Sequence, residues 1–299
     1  MTLDEQLKIL YDLYSKPRNV YQNAELYDQN RLTIAEIAPF LKLNAAEIAA
    51  LPIEKNIVDY RQLAEKTTEW TRENAKFLNY HRSLTPYTLL NGLPQNHYIA
   101  LKTGLAAAKN QVVVDVGAGT GQTLVNFFQH SETLTYFLID PNIRLLHDQF
   151  IRIYPQLLTL KMGHILAMGE NLPFKNESAD IVICLAAIDH MADYRQFLNE
   201  AKRILKPHGK LLIASHLDVP KNFKLAKLWK QFNVFSPSFL EFITRRWHQY
   251  RNRVALDDHT EHISDTAVLE KELVEKGFKT LLNEVIGVEQ FYIFSEKMP

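Results

Sequence analysis

The sequence predicts an α/β protein: a doubly wound, seven-stranded, mostly parallel sheet that ends in an antiparallel strand pair and follows an all-helical N-terminal extension. Three observations support this prediction. Apolar runs at 112–116, 136–139, 162–166, 181–184 and 211–214 alternate with helix-like stretches, the pattern of a parallel sheet with helices on both faces. Two closing runs near 282–287 and 291–295 are separated by too little chain for a crossover helix, so they should pair antiparallel. Residues 1–95 instead space their apolar side chains as helices do, for example Leu3, Leu7, Leu10 and Tyr14.

Taken in chain order, the first element is this helical portion. Asn44 followed by Glu47 reads as a capping-box helix start. The stretch from Leu32 to Leu51 could form two short helices of the kind that read nucleic acid. Between Arg31 and Arg61, however, four basic residues face four acidic ones, and a phosphate backbone demands a cationic face. A packing cap or dimerisation region over 1–95 is therefore preferred, with the ligand-binding domain over 96–299.

The next element is the most informative. Val112, Val113 and Val114 lead through Asp115 and Val116 into Gly117-Ala118-Gly119-Thr120-Gly121. The valines suit a strand buried on both faces, and glycines at every second position let the backbone turn sharply and approach a ligand. Dinucleotide folds use a different spacing, G-x-G-x-x-G, with a pyrophosphate at the helix N-terminus. Here the third position of that pattern is Gln122, and Asp115 at the strand end would repel a phosphate yet could face a cationic amino-acid group. A second strand, Tyr136 to Ile139, ends in Asp140-Pro141, 25 residues after Asp115. In doubly wound folds an acid at about this distance hydrogen-bonds a ribose diol.

From here the order and spacing of several segments resemble a known family. Gly169-Glu170-Asn171-Leu172-Pro173-Phe174 is followed by Ala179 to Cys184, then Ile188-Asp189-His190-Met191, then Phe197 through Ile213 with Lys206-Pro207-His208-Gly209 inside it. Together with the glycine turn these resemble the class I S-adenosylmethionine-dependent methyltransferases over about residues 112 to 215, more weakly to the last strand. The resemblance implies S-adenosylmethionine as cofactor. Asp115 and the backbone of Gly117, Ala118, Gly119 and Gly121 would hold its methionine end, Asp140 beside Pro141 its ribose, and Met168-Gly169 its adenine, with Leu185 also at the strand ends where ligands bind. Met168 stands where many relatives have an acid, so adenine recognition should lean on backbone amides and apolar stacking.

Methyl transfer asks mainly for in-line alignment and exclusion of water, since the sulfonium methyl is already activated. A base is needed only for a protonated acceptor, and Asp189 and His190 after the fourth strand are the candidates. A capping Asp and a structural His would read the same way, and His216 is a weaker candidate.

Residues 217–255 exceed what a sheet connection needs and read as a lid-like insertion. Its eight Lys/Arg against two acids accompany many aromatics, and Leu225, Leu228, Trp229 and Phe232 share one helical face near Lys221, Lys224, Lys227 and Lys230. Residues 221–232 would suit an anionic substrate or association with a membrane surface; a helix packed on the core with a solvated basic face explains them equally. The cluster from Asp257 to His262 has poor ligand spacing, so no metal site is expected.

Composition agrees. Net charge is zero, which gives no global attraction to nucleic acid or membrane. The single cysteine, Cys184, excludes an internal disulfide and suits a small buried strand position. No uninterrupted apolar run of about 18 residues and no basic leader appear, so a cytoplasmic enzyme without a membrane span is expected. The function predicted is transfer of a methyl group from S-adenosylmethionine to a small, partly apolar, potentially anionic acceptor. The alternatives are an RNA or protein methyltransferase and a non-catalytic S-adenosylmethionine-binding partner protein.

Overall fold

The structure, a computed structural model, describes residues 31–54, 57–61, 95–119, 121–141, 160–217, 263, 265–286 and 290–299. Its strands are β1 (Ile53–Glu54), β2 (Ile57–Asp59), β3 (Val112–Val116), β4 (Thr135–Ile139), β5 (Met162–Leu166), β6 (Ala179–Leu185), β7 (Leu205–His216), β8 (Phe278–Ile286) and β9 (Gln290–Lys297). They form one sheet in the order β1-β2-β5-β4-β3-β6-β7-β9-β8. The strands β5, β4, β3, β6 and β7 run parallel, and β9 pairs antiparallel with both β7 and β8. The predicted doubly wound sheet and its antiparallel closing pair are thus present.

Val113, Val114 and Val116 of β3 are all buried, as a strand covered on both faces requires. One face packs Val113, Leu138, Ile183 and Tyr292 against Ile99, Leu124 and Phe127. The other packs Val114, Phe137 and Ile213 against Phe197, Leu198 and Leu269. Cys184 is buried within β6, as expected.

Helix α5 (Tyr194–Ile204) shows why such segments fold as they do. Asp193 caps it by accepting from the amides of Arg195 and Gln196, and Tyr194, Phe197, Leu198, Ala201 and Ile204 bury one stripe. Each large apolar side chain so buried contributes about 1.5–3 kcal/mol. Helix α6 (Thr266–Glu275), capped by Asp265, covers the same face through Leu269 and Leu273.

The N-terminal portion departs from the prediction. The sheet has nine strands rather than seven, and the two extra ones lie within the segment expected to be all-helical. Short helices α1 (Ile34–Ile37) and α2 (Ala45–Ala50) do form, and α2 starts on the expected capping box between Asn44 and Glu47. After them β1 and β2 make a hairpin, and β2 adds in parallel to β5 with Ile57 opposite His164. The physical reason is the edge of β5, whose unpaired backbone groups recruit a strand. Two or three residues per strand are too few for an alternation to show in the sequence. Ile37, Leu41, Ile48, Val58 and Tyr60 join the core of the sheet.

Candidate active site

A cavity opens across the carboxyl ends of the parallel strands, where doubly wound sheets bind their ligands. Its wall passes from Ala167, Met168 and Gly169 after β5, through Asp140 and Pro141 after β4, to Gly117, Ala118 and Gly119 after β3. It continues through Leu185, Ala186, Ala187 and His190 after β6 to Ser215 and His216 on β7, Gln290 on β9, and Asn96.

The glycine turn is fixed by its own backbone. Gly117, Gly119 and Gly121 have φ of 71°, 50° and 73°. At Gly117 a Cβ would stand 2.2 Å from the Cβ of Ala187, so neither the conformation nor the space admits a side chain. The amides of Gly117 and Ala118 donate to the carbonyl of Ile139 at 2.8 and 3.1 Å, and that of Gly121 to Ala118 at 2.7 Å. The amide of Gly119 donates to Asp140 Oδ2 at 3.0 Å. The turn therefore directs its donors at the end of β4 and holds the Asp140 carboxylate at the cavity wall. A second close approach is at Gly169, where a Cβ would meet Met191 Cε at 2.7 Å.

Asp115 lies one layer behind this wall. It is 1% exposed, and its Oδ2 accepts the Tyr136 hydroxyl at 2.8 Å. Burial pushes its carboxyl up to about 7; hydrogen bonds from Tyr136 and Thr123 pull it down, and the nearby Asp140 charge adds to the rise. Burial also holds the Tyr136 hydroxyl well above its ordinary range, so it remains a neutral donor. Thr123, in the first turn of α4 (Gln122–Phe127), does line the cavity.

Of the sequence-predicted residues, the cavity thus gathers Gly117, Ala118, Gly119, Asp140, Pro141, Met168, Gly169, Leu185 and His190. Asp115 and Gly121 sit behind the turn, and Asp189 is buried in the short turn Ile188–His190 beside the wall. Asn96, Thr123, Ser215 and Gln290 were not singled out from sequence; Thr123 directly follows the glycine turn, whereas the other three belong to no local motif and only the folded topology gathers them. The lid-like insertion beyond Leu217, the basic residues of 221–232 and the cluster at 257–262 lie outside the described residues. No group of metal-ligating side chains occurs among the described residues, and none of their helices is long and apolar enough to cross a membrane.

The charge of the wall selects the ligand. Among its described residues the charged groups are Asp140 and Glu170, and neither Lys nor Arg lines it. Carboxylates with glycine amides turned inward suit hydroxyls and a cation, whereas a diphosphate wants open amides at a helix N-terminus. The residues present therefore fit a cationic nucleoside such as S-adenosylmethionine.

The chain is similar to several known proteins. A family model described as a methyltransferase domain matches residues 114–213. The ubiquinone biosynthesis O-methyltransferase of Rickettsia prowazekii is 24% identical over 236 residues, 77% of this chain and 86% of that protein. A ubiquinone/menaquinone biosynthesis C-methyltransferase, UbiE, of Bartonella quintana is 30% identical over 148 residues; the match covers 48% of this chain and 56% of that protein. A solved methyltransferase from Aquifex aeolicus aligns at a TM-score of 0.48 with 14% identity, over 67% of this chain and 88% of that one. The part of the chain that builds this cavity thus carries a methyltransferase domain, matched over about a third of the chain, and S-adenosylmethionine is its cofactor.

Proposed function

We propose that the enzyme methylates a small, partly apolar and neutral acceptor carrying a ring hydroxyl or enol. The observation that carries this reading is the asymmetry of the cavity. Its β5-β4-β3 side presents carboxylates and backbone, while its β6-β7 side presents Leu185, Ala186, Ala187 and Ala214 with His190 and His216 among them. An apolar wall with a few polar groups suits an apolar ring bearing one reactive oxygen or carbon. An anionic acceptor would find no described cation on that wall. The names of the Rickettsia and Bartonella relatives point the same way, since both specify quinone biosynthesis.

In this reading Asp140, clasped by the Gly119 amide, accepts from the ribose hydroxyls, and Met168 with Gly169 stacks and lines the adenine. Asp115 acts from behind through Thr123, its charge favouring the cationic end. The cofactor supplies an activated methyl group; the chain contributes alignment, exclusion of water and, at His190, an imidazole that takes the acceptor's hydroxyl proton. Asp189 lies buried in the same short turn as His190. The test is methyl incorporation from labelled S-adenosylmethionine into hydroquinone, 4-hydroxybenzoate and bulk RNA. Label in the neutral phenol is the expected result; label confined to RNA or to the carboxylated ring would reject this choice of acceptor.

A further inference from the structure

We infer that Asn96 binds the α-carboxylate of the cofactor's amino-acid end, with Tyr292 as the residue that positions it. This rests on the cofactor placement given under the proposed function. Such a carboxylate needs hydrogen-bond donors, and the glycine turn offers few. Its amides at Gly117 and Ala118 are committed to Ile139, and that of Gly119 to Asp140. Nor does any described Lys or Arg reach the wall.

Asn96 answers that need. It lines the cavity, is only 5% exposed, and belongs to the helix over residues 95–102. The hydroxyl of Tyr292 donates to its Oδ1 at 2.9 Å. Burial pushes that hydroxyl above its ordinary range, so it remains protonated and a donor at any working pH. With Oδ1 so engaged, the edge left for a ligand is the donor Nδ2. No described group takes a hydrogen bond from that nitrogen. A nearly buried side-chain donor on a cavity wall that carries no described Lys or Arg is a site for an anionic oxygen.

Strand order says which oxygen. Adenine and ribose occupy the β5 and β4 ends, and methionine begins at β3, so the carboxylate terminates on the side of β6, β7 and β9. Tyr292 lies on β9 opposite Ala214 of β7, which in turn lies opposite Leu185 of β6. The helix bearing Asn96 packs Ile99 and Ala100 into the same core cluster as Ala118 and Leu124, the residues just inside the glycine turn. Asn96 therefore reaches the cavity from the sheet face on which the methionine arm would lie.

Calorimetric titration with S-adenosylmethionine and with decarboxylated S-adenosylmethionine separates the outcomes. For Asn96→Leu the intact cofactor should bind roughly tenfold or more weakly, while the decarboxylated analogue binds as to the wild type. Tyr292→Phe, which frees the amide to rotate, should show the same selective loss at smaller size. Equal losses for both ligands would mark Asn96 as merely structural, and undiminished affinity for both would remove it from the site; either overturns the inference. Should the wild type itself fail to bind S-adenosylmethionine, the placement beneath the inference fails instead.

Discussion

The two ends of the cavity are built differently. At the β5-β4-β3 end the wall is backbone and carboxylates drawn from short, contiguous stretches: the turn after Val116, the pair Asp140-Pro141, and Met168-Gly169. At the β6-β7-β9 end it is made of single side chains from distant parts of the chain, namely His190, His216 and Gln290. An invariant ligand such as the cofactor can be held by a motif whose spacing is fixed by one strand-turn-helix unit. An acceptor that changes from enzyme to enzyme is read by residues that can be exchanged one at a time without disturbing that unit.

If the division is real, substitutions at the two ends should separate into cofactor and turnover effects. The largest effect is expected at His190. With a hydroxyl acceptor, His190→Ala should lower kcat by about a hundredfold or more, the range of a lost general base, while the dissociation constant for S-adenosylhomocysteine in calorimetry stays within about twofold of wild type. A rate that hardly moves would return His190 to a structural role.

At the opposite end, Asp140→Ala should weaken cofactor binding by about 1.5–3 kcal/mol, roughly ten- to 150-fold, through loss of charge-assisted ribose bonds. Circular dichroism should show the fold retained. Wild-type affinity in that protein would remove Asp140 from the ribose site.

Asp115 gives the comparison a pH axis. Its carboxyl sits at about 7 against an ordinary 3.8 because it is buried. The folded protein thus binds this proton more readily than the unfolded chain. Its contribution to stability is complete below about pH 4 and is lost as pH rises through about 7. A cationic cofactor favours the ionised form, so affinity should rise across the same interval. Thermal unfolding and titration from pH 5 to pH 8 should show both slopes, and Asp115→Asn should flatten them; unchanged slopes in that variant would assign them to another group.

The smallest effect concerns the added edge of the sheet. Arg61, just past β2, grips Asp59 with Nε and Nη2 at 2.9 and 2.7 Å and donates from Nη1 to the carbonyl of Pro141 at 3.0 Å. That contact braces the turn carrying Asp140. Arg61→Ala should cost about 1 kcal/mol in cofactor affinity, a fivefold change, and Arg61→Lys should restore little because one ammonium cannot make all three bonds. As a control, Arg203→Ala, which breaks the pairing with Glu200 away from the cavity, should lower Tm and leave affinity alone.

What was legible in the sequence follows the same line. The capping box from Asn44 to Glu47 spans four residues and could be read directly. So could the glycine turn and the strand-end acid Asp140, because both lie where a strand stops. The pairing of β2 with β5 could not, since it depends on an edge more than a hundred residues away. Nor could the burial of Asp115 behind the wall: in a strand covered on both faces, alternation does not reveal which neighbour an acid will meet, and the answer was the hydroxyl of Tyr136. Asn96 is one polar residue in an otherwise unremarked helix, and its meaning appears only when Tyr292 arrives from the last strand.

The bond from the Gly119 amide to Asp140 has a consequence for how recognition is organised. Because the first loop holds the second, a sugar on one and a sulfonium on the other would not be sensed by independent devices; they would press on two corners of a single plate. A ligand that displaces one corner must tilt the other, so a nucleoside of the wrong shape is penalised twice for one misfit. Discrimination of that kind is collective, and it needs no extra side chain to enforce it.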